Sequence, residues 1–201
     1  MQFSHVLPAD FLHGLSVSQR IRQYCNVVVF WAWLAQILEA NASLSKAVSL
    51  VQAWCDDAGL PVPGKNTGAF SKGRDRLGMD FLAAANTRVN AWLGARVRPE
   101  DTYQGHIIKS IDGSSVALDD TAANQSEYPQ PTSQKPGCGF PVMGIMGVLN
   151  HAHGGWEDFV EGQQTAHDAP VFRKLLHCFH TRQHPLRRPR LLHLRNQGHT
   201  P

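Results

Sequence analysis

Asp112 stands beside Gly113 at the end of a short β-type run, Ile107-Ile-Lys-Ser-Ile111. A carboxylate held rigidly at a strand end suits a hard divalent cation, which prefers oxygen ligands. Taken alone, the same Asp-Gly pair is ordinary turn chemistry. Asp119 and Asp120 follow closely, either as further metal ligands or as a solvated loop pair. Lys72, Arg74 and Arg76 fall at alternate positions of a helical stretch and are candidate phosphate contacts, with Asp75 interrupting the run. Cys138, His151 and His153 have the chemistry of zinc ligands, but no fourth ligand stands at a convincing spacing. They read as loop residues.

The elements that must position these groups change character midway. Phe11 to Tyr24 spaces apolar residues at helical intervals, and Val27 to Leu38 is apolar nearly all round, as befits a helix in the middle of a bundle. Ser43 is a cap for a third helix running to about Cys55, with Leu44, Val48, Val51 and Trp54 along one side. Gly59-Leu-Pro-Val-Pro-Gly64 ends it. Two further helices are expected at about Gly68–Leu77 and Asp80–Leu93, and Trp31, Trp33 and Trp54 read as core aromatics. The period then shortens. Ile107–Ile111 reads as a strand that Asp112-Gly113 ends or bends, Asp119–Gly139 as an extended loop, Phe140–Leu149 as a buried strand and Trp156–Val160 as a third. Asp168 caps a helix over about Ala169–Leu176, with Pro170 in its first turn.

Composition narrows the class. The 201 residues are 42% hydrophobic and 17% charged, a chain able to bury a core. The net charge of +3 is unevenly placed: the last 33 residues hold seven basic groups and no acid, leaving 12 basic against 16 acidic groups before them. The four cysteines form no CxxC pair, which disfavours a zinc ribbon and a disulfide framework. The chain opens on no export signal, and its longest apolar run is too short to span a bilayer. A cytoplasmic, reduced, soluble protein with no membrane partner is the expectation.

Several blocks occur in a telling order: Ile111-Asp-Gly-Ser-Ser-Val-Ala-Leu-Asp-Asp-Thr-Ala-Ala-Asn124, Tyr128-Pro-Gln-Pro131 and Gln134-Lys-Pro-Gly-Cys-Gly-Phe-Pro141. Together they resemble the DDE transposases of the insertion-sequence-four family. Upstream, Phe30-Trp-Ala-Trp-Leu-Ala-Gln36 and Phe70-Ser-Lys-Gly-Arg-Asp-Arg-Leu77 look like that family's N-terminal region, and the likeness runs from about Arg20 to Cys178. Ser114 stands where the family has threonine, and Asp119 where it has proline.

The resemblance implies an α+β chain: an all-helical N-terminal domain (1–98), then an incomplete ribonuclease-H-like domain (104–178). Asp112 would be the first of three catalytic, metal-binding acids. DNA strand cleavage and transfer use two magnesium ions about 4 Å apart, one activating the attacking oxygen and one stabilising the leaving oxygen. The implied partners are double-stranded DNA at transposon ends, a second copy of the chain or full-length transposase. The implied DNA contacts include Lys72, Arg74, Arg76 and Lys135, with Asn124, Tyr128 and Gln134 either near DNA or scaffolding their loop.

The family's second acid lies in a motif like "ADRAYCxYE" on the strand after the helix, and its glutamate lies much further on. Neither is encoded here in frame. Yet Arg187-Arg-Pro-Arg-Leu-Leu-His-Leu-Arg-Asn196, read one nucleotide later, is compatible with that motif over nine successive codons. The expectation is a frameshift between Cys178 and Leu186, a basic out-of-frame tail (179–201), and a truncated transposase that is inactive as a single chain. Two other outcomes are a DNA-binding fragment that competes with full-length transposase, and a non-functional relic.

Overall fold

The computed structural model describes residues 3–16, 23–40, 42–135, 137–163 and 168–179. It is a mixed helix-and-sheet structure, and the chain divides into two compact units between Ala95 and Arg96. The basic tail, with the shifted reading placed on it, lies outside the described residues. No described helix is long and apolar enough to cross a membrane.

Among its described residues the first unit holds five helices: α1 (Ala9–Gly14), α2 (Asn26–Leu38), α3 (Leu44–Asp57), α4 (Thr67–Asp75) and α5 (Gly78–Gly94). α2 packs against α1, α3 and α4, and buries Val27, Val29, Phe30 and Ala32. Its last turn departs from the expected burial, because Ile37 and Leu38 are exposed. Ser43 caps α3 by accepting the Lys46 N–H at 3.2 Å, and Asn66 caps α4 by accepting the Gly68 N–H at 2.8 Å. α3 buries Ala47, Val48, Val51 and Cys55, while Trp54 is 43% exposed, so the buried side is set by the smaller residues. α1 ends at Gly14 rather than continuing to Tyr24, and residues 17–22 of that expected helix lie outside the description. Phe70 and Leu12 are wholly buried at the centre of this core. α2 and α4 approach closely enough that a Cβ on Gly73 would lie 2.7 Å from Val29 Cγ2.

The second unit holds β1 (Lys109–Ala117), α6 (Ala122–Glu127), β2 (Val142–Asn150), β3 (Gly155–Gln163) and α7 (Asp168–Lys174), followed by a 3-10 turn (Leu176–Phe179). The strands form an antiparallel sheet in the order β1-β2-β3. One face packs Ile111, Val148, Met146 and Val160 against Leu175, Cys178 and Phe179. On the other face the Trp156 ring lies over Gly147, where any Cβ would collide with it. The β2–β3 register shifts between Val148, opposite Asp158, and Leu149, opposite Trp156, so Glu157 is an extra, bulged residue. Its carboxylate accepts Lys109 Nζ at 2.7 Å and Asn150 Nδ2 at 2.7 Å. Lys109 Nζ also donates to the Cys178 carbonyl, which ties the 3-10 turn to the first strand.

Two strand-and-loop expectations are corrected. Asp112-Gly113 neither ends nor bends β1; the strand runs through both, with Asp112 opposite Gly147 and Gly113 opposite Met146. The segment 119–139 is not wholly extended, since α6 lies within it, capped by Thr121 Oγ1 accepting the Asn124 N–H at 3.1 Å.

Candidate functional site

Asp112 lies at the middle of β1 with its side chain exposed. Its position follows from the alternation of a strand, in which neighbouring side chains point to opposite faces. Ile111 packs into the buried cluster, so Asp112 is turned away from it, on the face shared by Ser110 and Ser114. One carboxylate oxygen, Oδ1, accepts the Gly113 N–H at 2.9 Å. β1 is an edge strand, and among the described residues nothing pairs with its outer side.

Two magnesium ions need several carboxylates converging from different elements. Among the described residues the one group of three or more His, Cys, Asp or Glu side chains with converging ligand atoms does not include Asp112. One carboxylate does not make that site. The donor set around Asp112 does not fit the paired ions implied by the resemblance.

Asp119 and Asp120 belong to the loop rather than to a cluster. Asp120 Oδ1 accepts Gln125 Nε2 at 2.8 Å, and the Asp119 carbonyl accepts Asn124 Nδ2 at 2.9 Å. Gln130 gathers the rest. Its Oε1 accepts the N–H groups of Gly137 at 3.0 Å and Gly139 at 3.2 Å, and its Nε2 donates to the Lys135 carbonyl at 2.8 Å. Lys135 is exposed on this loop. Tyr128 has its phenol raised by desolvation, then by the charges of Glu161 and Glu127 and a hydrogen bond to Glu161. The blocks around 119–139 thus supply the side chains that fold their own loop.

Lys72 and Arg74 of α4 and Arg76 just after it do not form one face. Side chains advance about 100° per residue around a helix, so positions two apart diverge while positions four apart coincide. Lys72 and Arg76 accordingly share the wall of an open cleft of about 320 Å³ with Gln23, Tyr24 and Ala69. Arg76 Nη2 donates to the Tyr24 carbonyl at 3.0 Å. Arg74 turns elsewhere, with its guanidinium 5.9 Å from the Trp33 ring centroid and its Nε buried. Of the three candidate phosphate contacts, Lys72 and Arg76 thus stand together and Arg74 stands apart.

Cys138, His151 and His153 are not brought together. His151 Nε2 meets Ser110 Oγ at 2.9 Å, His153 Nδ1 accepts the Gly155 N–H at 3.1 Å, and Cys138 is exposed in the loop. A different trio, passed over in the sequence, does converge: Asp158 of β3 with His177 and Cys178 of the 3-10 turn. The adjacent His-Cys pair was its only signal. Comparison with family models, with curated proteins and with solved structures finds no match to the chain.

Proposed function

We propose that the chain derives from a DNA transposase of the insertion-sequence-four family, and that its second unit is the opening part of a ribonuclease-H-like domain. What carries the reading is the ordered series of blocks at 111–124, 128–131 and 134–141, together with the exposed aspartate at the head of the first block. A meander of three antiparallel strands followed by a helix, with the acid on the edge strand, is consistent with it. On this reading the strand that bears the second acid in the family would follow the helix. Asp112 is then a metal ligand without its team, and the chain does not cut DNA. Purified protein, magnesium and transposon-end DNA are expected to give no strand cleavage. Cleavage that Asp112→Ala abolishes would refute this.

A second reading, that the helical unit recognises transposon ends and competes with full-length transposase, requires that unit to fold by itself, and it has its own core around Phe70 and Val48. Binding specific to the ends is expected to survive deletion of residues 179–201. Loss of binding with the tail marks it as non-specific attraction to polyanion, with the steep salt dependence such attraction carries.

A further inference from the structure

We propose that Asp158, His177 and Cys178 form a zinc-binding site that fastens the 3-10 turn to β3. Each residue offers one ligand atom, and the three atoms lie within 4.8 Å of one another. His177 Nε2 is 3.0 Å from Asp158 Oδ2 and 3.5 Å from Cys178 Sγ. Zinc–ligand bonds of about 2.0–2.3 Å in a tetrahedron place ligand atoms about 3.4–3.6 Å apart, so the imidazole–thiol distance already fits and the imidazole–carboxylate distance has to widen by a few tenths of an ångström.

The hydrogen bonds behind these atoms set their orientation. His177 Nδ1 lies 2.9 Å from the Lys174 carbonyl. A carbonyl only accepts, so Nδ1 carries the hydrogen, the arrangement that fixes the tautomer of metal-binding histidines. Nε2 then faces a carboxylate oxygen. The Nε2 lone pair and the carboxylate oxygen, 3.0 Å apart, can therefore converge on one metal ion. The other oxygen, Oδ1 of Asp158, is already taken up by the Phe159 N–H at 2.8 Å, which leaves Oδ2 to the site.

The ligand types choose the ion. A thiolate, an imidazole and a carboxylate together suit zinc and not magnesium or calcium. Burial pushes the Cys178 thiol up, the charges of Asp158 and Glu157 add to this, and Lys109 opposes them. Coordination to zinc would displace the thiol proton outright. The His177 and Asp158 side chains are 62% and 44% exposed, so an ion can enter and keep a solvent molecule as its fourth ligand. Lys109, the cation facing this region from β1, is held by the Glu157 carboxylate and the Cys178 carbonyl.

The test uses the full chain with cobalt(II) as a coloured substitute for zinc. One cobalt per chain is expected, with a thiolate charge-transfer band that zinc abolishes by displacement. Cys178→Ser should remove the band. His177→Gln, at a side chain 62% exposed, should weaken binding about tenfold or more. Absence of a thiolate band in the unaltered chain overturns the site, as does a band that persists in Cys178→Ser or an affinity unchanged by His177→Gln.

Discussion

Substituting Gly73 by alanine asks whether the contact between α2 and α4 is as tight as its geometry states. In an open helix, glycine to alanine stabilises by about 1 kcal/mol, because the unfolded chain has less freedom to lose. Here the new Cβ would stand 2.7 Å from Val29 Cγ2 and 3.6 Å from Val29 Cγ1. Val29 is fully buried, and a valine in a helix has essentially one side-chain rotamer, so the methyl cannot swing aside. The helices must separate instead, and overpacking of that kind costs about 1–3 kcal/mol. The expected net result for Gly73→Ala is a loss of about 1 kcal/mol. The sign should invert in a Val29→Ala background, where the obstructing methyl groups are gone and Gly73→Ala should stabilise by up to about 1 kcal/mol. Urea unfolding of the four proteins, followed by the helical circular dichroism signal, measures the cycle. Equal stabilisation by Gly73→Ala in both backgrounds would refute the close approach.

Lys109→Met leaves the Glu157 carboxylate without its ammonium in a pair whose side chains are 11% and 18% exposed. Asn150 still donates to that carboxylate, so the expected loss is about 2–3 kcal/mol, at or below the lower end for breaking a buried pair, read from urea unfolding followed by the NMR amide signals of β2. An unchanged midpoint refutes it. Gln130→Ala removes the acceptor of the Gly137 and Gly139 amides. Their hydrogen exchange should accelerate while β2 amides keep their protection, and uniform exchange rates in both proteins would show that the loop is held by other means.

The helical unit was largely legible because its signals are local. Ser43 sits three residues before the amide it caps, and the run from Val27 to Ala32 is apolar all round, as a central helix is. Where the reading of α3 slipped, two positions competed for one slot. Trp54 and Cys55 lie three and four residues beyond Val51, both on the same side of a helix, and the small thiol took the buried place while the indole stayed 43% exposed. The basic residues along and just after α4 part company for a related reason. Alternation suggests one side of a strand, whereas on a helix it sends Arg74 to Trp33 and leaves Lys72 with Arg76.

In the second unit, pairing between distant segments overrode local chemistry. Asp-Gly is a turn signal, but Gly147 and Met146 lie opposite Asp112 and Gly113, and nine consecutive residues of β1 find partners on β2. The register is fixed by Ile111, which must reach the buried cluster. A one-residue slip would send the Asp112 carboxylate toward Val148 and Leu175, where an unpaired charge is untenable. The exposure of Asp112 is thus imposed by packing. Asp158 shows the same logic inverted. Strict alternation would put it on the face of Trp156, far from any cysteine. The extra residue at Glu157 shifts the pairing by one, so Asp158 stands opposite Val148 and faces Cys178. No spacing rule applied to the sequence could have joined those two residues, because the joining depends on a bulge that the Lys109 and Asn150 side chains hold in place.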